Sequence, residues 1–114
     1  MLDFYSGEAK GVPVTIRAEK LISALCKHSN QYVGPYSIHR KEKSITNAKS
    51  RIDHGDKIWN PVLEHPFYRT KGTSSAPEFI DGRHRFVALV ESGYTEIEIV
   101  VPEGQVDDFK RLFN

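Results

Sequence analysis

Glu78-Phe79-Ile80-Asp81-Gly82-Arg83-His84-Arg85-Phe86-Val87-Ala88-Leu89 reads as a short strand, a sharp turn and the opening of a helix. Phe79 and Ile80 are strand-forming residues. Gly82 stands where the chain must change direction, and glycine takes a positive φ at no steric cost. Phe86, Leu89 and Val90 then recur at helical spacing. Asp81 lies just ahead of that run, placed to accept hydrogen bonds from the free N–H groups of the first turn. Two arginines and a histidine follow within that turn. A helix N-terminus already carries partial positive charge, so cations there are unfavourable unless an anion is close by. Phosphate is the simplest such anion, held by backbone N–H groups and guanidinium forks.

Downstream, the helix runs from about Arg83 to Ser92 and stops at Gly93. Glu96-Ile97-Glu98-Ile99-Val100-Val101 alternates with Ile97, Ile99 and Val101 on one face, and Pro102 ends the strand. A last amphipathic helix uses Val106, Phe109 and Phe113. Upstream, residues 71 to 77 form a polar loop, and Asn60-Pro61 leads into a strand at Val62-Leu63. Ile45, Ala48 and Ile52 predict a helix from about Ser44, its expected cap, to His54, with Gly55 as the left-handed residue after it. Residues 31 to 39 carry the turn signal Gly34-Pro35. Ala18 to Lys27 is helical, with Leu21, Ile22, Leu25 and Cys26 as its apolar stripe, so Cys26 is expected to be a buried, inert thiol. Val12 to Ile16 is a strand that starts at Pro13 or lies at a sheet edge. Residues 1 to 11 are expected to be a loosely held arm.

The order β-α-α-β-β-α-β-α predicts one α+β domain over residues 1–114, with a small mixed sheet packed against helices. Its expected core is Val14, Ile16, Leu21, Leu25, Ile45, Ile52, Ile80, Phe86, Leu89, Ile97, Ile99 and Val101.

Asp81-Gly82-Arg83-His84-Arg85, with Ala88-Leu89, Gly93 and the strand from Ile97 to Val101, resembles the ParB/sulfiredoxin superfamily. Ile45, Gly55 and Pro61-Val62 match the family pattern of helix, glycine and Pro-led strand. The resemblance spans roughly residues 12 to 102 and is sharp from 79 to 101. It implies a ParB/sulfiredoxin-like fold whose glycine-arginine turn binds nucleotide phosphates at a helix start. Sulfiredoxins place a reactive cysteine directly before the His-Arg pair. Arg83 stands there in this chain, so sulfinic-acid reduction is not expected. Partition proteins of this type add a helix-turn-helix domain and a dimerisation segment that the 114 residues do not contain. Some stand-alone relatives are nucleases or nucleoside triphosphatases, which brings metal-assisted phosphoester hydrolysis into view, with Mg2+ and CTP or ATP as the implied cofactors.

Composition narrows the class further. The 16 Lys and Arg against 15 Asp and Glu leave a net charge of +1, so no global basic field drives DNA binding and any such contact must be local. A single cysteine excludes an internal disulfide and points to a reducing, cytosolic setting. No apolar run is long enough to span a bilayer.

The work at the turn is assigned as follows. Gly82 permits close backbone approach, Arg85 makes the bidentate phosphate contact and Arg83 assists. His84 and Asp81 are the candidate proton-transfer or metal-side groups, and a packing role for His84 stands beside that reading. The densest basic stretch holds His39, Arg40, Lys41, Lys43, Lys49 and Arg51, of which Arg40, Lys43 and Arg51 are candidate additional phosphate contacts. Solvated charge on a helix face is the alternative there. Asp53-His54 and Asp81 with His84 could supply ligands for a divalent ion, but scattered surface side chains are the expected reading and no metal site is assigned; no metalloprotease or Cys-pair motif is present. Two functional expectations result. The first is a nucleotide- or nucleic-acid-phosphate-binding domain of plasmid, phage or interbacterial-conflict type, with hydrolysis as a further step. The second is a non-catalytic protein-interaction module or inhibitor that keeps the fold.

Overall fold

Strand alternation sets the sheet. In the computed structural model, which describes residues 11–28, 40–56, 60–64 and 77–114, β1 (Gly11–Arg17) buries Val14 and Ile16 and exposes Pro13, Thr15 and Arg17. Its partner β4 (Glu96–Pro102) runs antiparallel, with Val14 opposite Ile99 and Ile16 opposite Ile97. Both strands thus direct branched side chains to one face. β2 (Val62–Glu64) lies parallel to β4 and antiparallel to β3 (Glu78–Asp81), which makes the sheet mixed, in the order β1-β4-β2-β3. β1 is an edge strand, as Pro13, with no N–H to donate, requires.

Among the described residues, four α-helices complete the α+β fold. α1 (Ala18–His28) and α4 (Val106–Phe113) follow β1 and β4. A short 3-10 turn at residues 103–105 precedes α4. α3 (Arg83–Glu91) follows β3, and α2 (Glu42–Asp53) packs on α3. The main core joins Val14, Ile16, Leu21, Leu25, Leu63, Phe86, Ile97, Ile99, Val101, Phe109 and Phe113. A second cluster, Ile45, Ala48, Val87 and Ala88, fastens α2 to α3. Phe86 and Val87 are adjacent in sequence, so α3 is held between the two clusters.

Both α2 and α3 stop as their glycines predict. After α2, Gly55 N–H bonds to Ile52 O at 3.1 Å and Asp56 N–H to Arg51 O at 2.9 Å. After α3, Gly93 N–H bonds to Val90 O at 3.0 Å and Tyr94 N–H to Leu89 O at 3.1 Å. These paired bonds satisfy carbonyls that a helix end leaves open.

Several expectations are corrected. Cys26 is exposed. The buried stripe of α1 is Ala18, Leu21 and Leu25, and Cys26 sits about 100° further round the helix from Leu25. Ile80 is 41% exposed and does not join the core. The register between β2 and β3 shifts: Val62 lies opposite Asp81 and Leu63 opposite Phe79, which leaves Ile80 as an extra residue. Such a bulge re-aims a side chain. Phe79 takes the inward place, its ring 5.5 Å from that of Phe86. Helix α2 starts at Glu42 with Lys41 as its cap residue, so Ser44 lies inside the first turn rather than capping it. Gly11 belongs to β1 and not to an arm. The rest of the expected arm and the loops at 31–39 and 71–76 lie outside the described residues.

Candidate functional site

The turn between β3 and α3 is built on Gly82, whose φ of 83° and ψ of 23° are left-handed. A residue with a Cβ is strained there. The position is also crowded: an added Cβ would come within 2.7 Å of Arg85 Nη2. The Arg85 side chain therefore folds back over the bare glycine. From there Nη2 donates to Asp81 Oδ2 at 3.1 Å. Arg85 Nε is buried without an acceptor among the described residues.

Asp81 consequently does not cap α3. The cap residue is Gly82, with no side-chain cap bond, and the first helical bond is Phe86 N–H to Gly82 O at 2.9 Å. Asp81 belongs to the end of β3, and the left-handed turn lays its carboxylate beside Arg85, one helical turn along. The positive end of α3 is left without a carboxylate cap.

This turn forms one wall of an open cavity of about 710 Å³. Phe79 to Arg85 supply that wall, and Lys41, Ser44, Asn47, Ala48 and Arg51 of the α2 segment supply the other. Among the described residues, four cationic side chains, Lys41, Arg51, Arg83 and Arg85, face one carboxylate, Asp81. Among the described residues, Lys41, Arg51 and Arg83 make no ion pair. No described residue pairs with their charge, which sits in a concavity that concentrates its field.

His84 is engaged structurally. Its Nε2 accepts the backbone N–H of Lys41 at 3.0 Å, which places the ring proton on Nδ1. The imidazole thus satisfies an N–H at the start of α2 and locks the two cavity walls together. The packing role is the one the geometry supports.

Of the three additional contacts expected from the basic stretch, the structure brings only Arg51 to the cavity. Lys43 is exposed and off the wall. Arg40 is taken up elsewhere. Its Nη1 and Nη2 donate to both oxygens of Glu91 at 2.9 and 3.0 Å, and its Nε donates to Glu42 at 2.7 Å. Lys49 Nζ also reaches Glu91, at 2.7 Å. The Arg40 side chain is only 9% exposed, so this is a clasp between the start of α2 and the end of α3. Hydrogen bonds from Arg40, and then from Lys49, hold the Glu91 carboxyl down at about 2, against burial that acts the other way. The same bonds hold the Arg40 guanidinium above its ordinary range, the Glu91 bond first and the Glu42 bond second.

Sequence reasoning missed Ser44, Asn47, Lys41 and Ile80 as wall residues. The signal for α2 was present: Ser44, Asn47 and Arg51 fall at i, i+3 and i+7, on a row beside Ile45, Ala48 and Ile52. No group of three His, Cys, Asp or Glu side chains converges among the described residues. His54 Nδ1 lies 2.7 Å from Ser50 O, and Asp81 is paired with Arg85, so neither suggested pairing forms a ready metal cage. Among the described residues no helix is long and apolar enough to cross a membrane.

No protein-family model matches the chain, and neither a curated protein nor a solved structure matches it with significance.

Proposed function

We propose that this domain binds the phosphates of a nucleotide or nucleic acid in the cavity between α2 and the β3–α3 turn. The observation that carries the proposal is the lining: among the described residues, Lys41, Arg51, Arg83 and Arg85 against Asp81, at a helix start without a side-chain cap. Guanidinium groups match phosphate oxygens in pairs, and helix N-termini favour anions. The ParB/sulfiredoxin resemblance belongs to this proposal, as does a cytosolic setting for a chain with one, exposed, cysteine. Arg83 and Arg51 are the primary phosphate contacts and Lys41 is supporting.

The proposal is for binding first. His84 spends Nε2 on the Lys41 N–H and Asp81 shares one oxygen with Arg85, so binding rather than proton transfer is the role assigned to this wall. The residues on the wall do not fit a resident metal, with one carboxylate already paired. Mg2+ would arrive with CTP or ATP, held chiefly by the phosphates. A protein-interaction module is the second reading, and the Asp81–Arg85 pair is the feature that favours it.

A thermal-shift series with ATP, CTP, GTP and single-stranded DNA, with and without magnesium, tests the proposal. A ligand at 100 times its Kd adds about 2.7 kcal/mol of stability. Arg83→Ala should abolish most of the shift, while a surface change such as Lys110→Ala should not. Equal shifts in wild type and Arg83→Ala, or no shift with any phosphate compound, would overturn phosphate binding in this cavity.

A further inference from the structure

We infer that Asp81 is a built-in competitor for the anion, a carboxylate that occupies Arg85 until phosphate displaces it. The inference rests on the phosphate-binding reading and adds a regulatory element to the same site. Among the described residues, Asp81 is the lone carboxylate lining a cavity that four cationic side chains share. It has no other task in the described structure. It is not the cap of α3, and its carboxylate is 57% exposed, so the fold does not need its charge for burial. Among the described residues its carboxylate accepts one hydrogen bond, from Arg85 Nη2 at 3.1 Å.

The guanidinium, in turn, is held in a place that suits it poorly. Arg85 Nε is buried and has no acceptor among the described residues. One N–H donor of a five-donor fork is bonded to Asp81 at one oxygen, where a carboxylate or phosphate met face to face takes two. A buried donor without an acceptor favours any rearrangement that supplies one. A phosphate in the cavity offers several acceptor oxygens, and Arg85 has space to reach it because its side chain forms part of the cavity wall, 24% exposed. Gly82 leaves the parked guanidinium room directly above the turn, where a Cβ would collide with Nη2. Asp81 and an incoming phosphate therefore compete for one guanidinium and repel each other across the same cavity. The consequence is a threshold: mono-anions weaker than Asp81 as partners leave the pair closed, and multiply charged phosphates open it.

The experiment titrates inorganic tripolyphosphate and, separately, inorganic phosphate into wild type, Asp81→Asn, Arg85→Ala and the double variant by calorimetry at low salt without divalent ions. Asp81→Asn keeps the shape and removes the charge. Its affinity should rise roughly three- to tenfold, the range expected for losing an exposed ion pair and a nearby like charge. In the Arg85→Ala background the same change should raise affinity by much less, because the competition needs Arg85. Inorganic phosphate should show a larger relative gain than tripolyphosphate. Wild-type binding that Asp81→Asn leaves unchanged or weakens would overturn the inference and leave the phosphate site standing. So would an equal gain in both backgrounds, which would mean simple repulsion. No binding by any of the four proteins would remove the phosphate site and the competitor together.

Discussion

Gly82→Ala probes the turn on which both the helix start and the Arg85 position depend. The left-handed backbone at φ 83° costs a residue with a Cβ roughly 1–2 kcal/mol. The lower freedom of alanine in the unfolded chain returns roughly 0.4–1 kcal/mol of that. The new Cβ would stand 2.7 Å from Arg85 Nη2 and 3.0 Å from Cζ and Nε, so the guanidinium must leave. It is the far end of a flexible side chain, so leaving costs little beyond its pair with Asp81. A pair with a half-exposed carboxylate is worth roughly 0.2–1 kcal/mol. The net is a destabilisation of about 1 kcal/mol, which lowers Tm by roughly 4–8 °C in a domain near this size. Gly82→Asn should lose less, because asparagine tolerates the left-handed region, while displacing Arg85 to the same extent. Melting followed by circular dichroism measures both variants. Tripolyphosphate titration on the same preparations should show Kd weakened at least several-fold for each. A Gly82→Ala protein that melts at or above wild type, with unchanged affinity, would refute both the strain and the seating of Arg85 over the glycine.

Three further outcomes test other parts of the structure. Glu91→Gln should lower Tm at neutral pH by loosening the clasp of Arg40 and Lys49. Because the Glu91 carboxyl is held at about 2 from an ordinary 4.5, its contribution is complete above about pH 4.5 and is lost as pH falls through about 2. The Tm gap between wild type and Glu91→Gln should therefore close on acidification, and a gap independent of pH would contradict the assignment. Cys26 should react with a maleimide in the native protein at a rate close to that in denaturant, since it is exposed; strong protection would restore the buried reading. Phe86→Ala, at a side chain with no exposure, should cost roughly 3–5 kcal/mol. Ile80→Ala should cost less than about 1 kcal/mol, because that side chain is bulged out of the core. Equal losses in denaturant titrations would place Ile80 back inside.

Local patterns carried the elements of this fold and tertiary pairing decided the site. Alternation in Val14–Ile16 and Ile97–Val101, helical spacing at Leu21–Leu25 and Ile45–Ile52, and glycines after α2 and α3 were legible because their periods and stop signals are properties of one segment. The Gly82 turn was legible for the same reason: a strand, a glycine and a helix start within eight residues. Ile80 shows where that legibility ends. A strand residue turns inward or outward according to register, and the β2–β3 shift is set by a partner some 17 residues away in the chain. Arg40 and Arg51 share one basic stretch, yet Arg40 meets Glu91, 51 residues on, while Arg51 faces the cavity. Side-chain charge alone cannot sort them, because ion pairs depend on which helix faces pack. Asp81 and Arg85 lie four residues apart, but only the left-handed turn made Asp81 a partner of Arg85 instead of a helix cap. The sequence by itself determined which segments are strands and helices and where cations gather. Packing of α2 on α3 and the register of β3 decided which cations face the open cavity, because those two alignments rest on contacts that no single stretch of chain encodes.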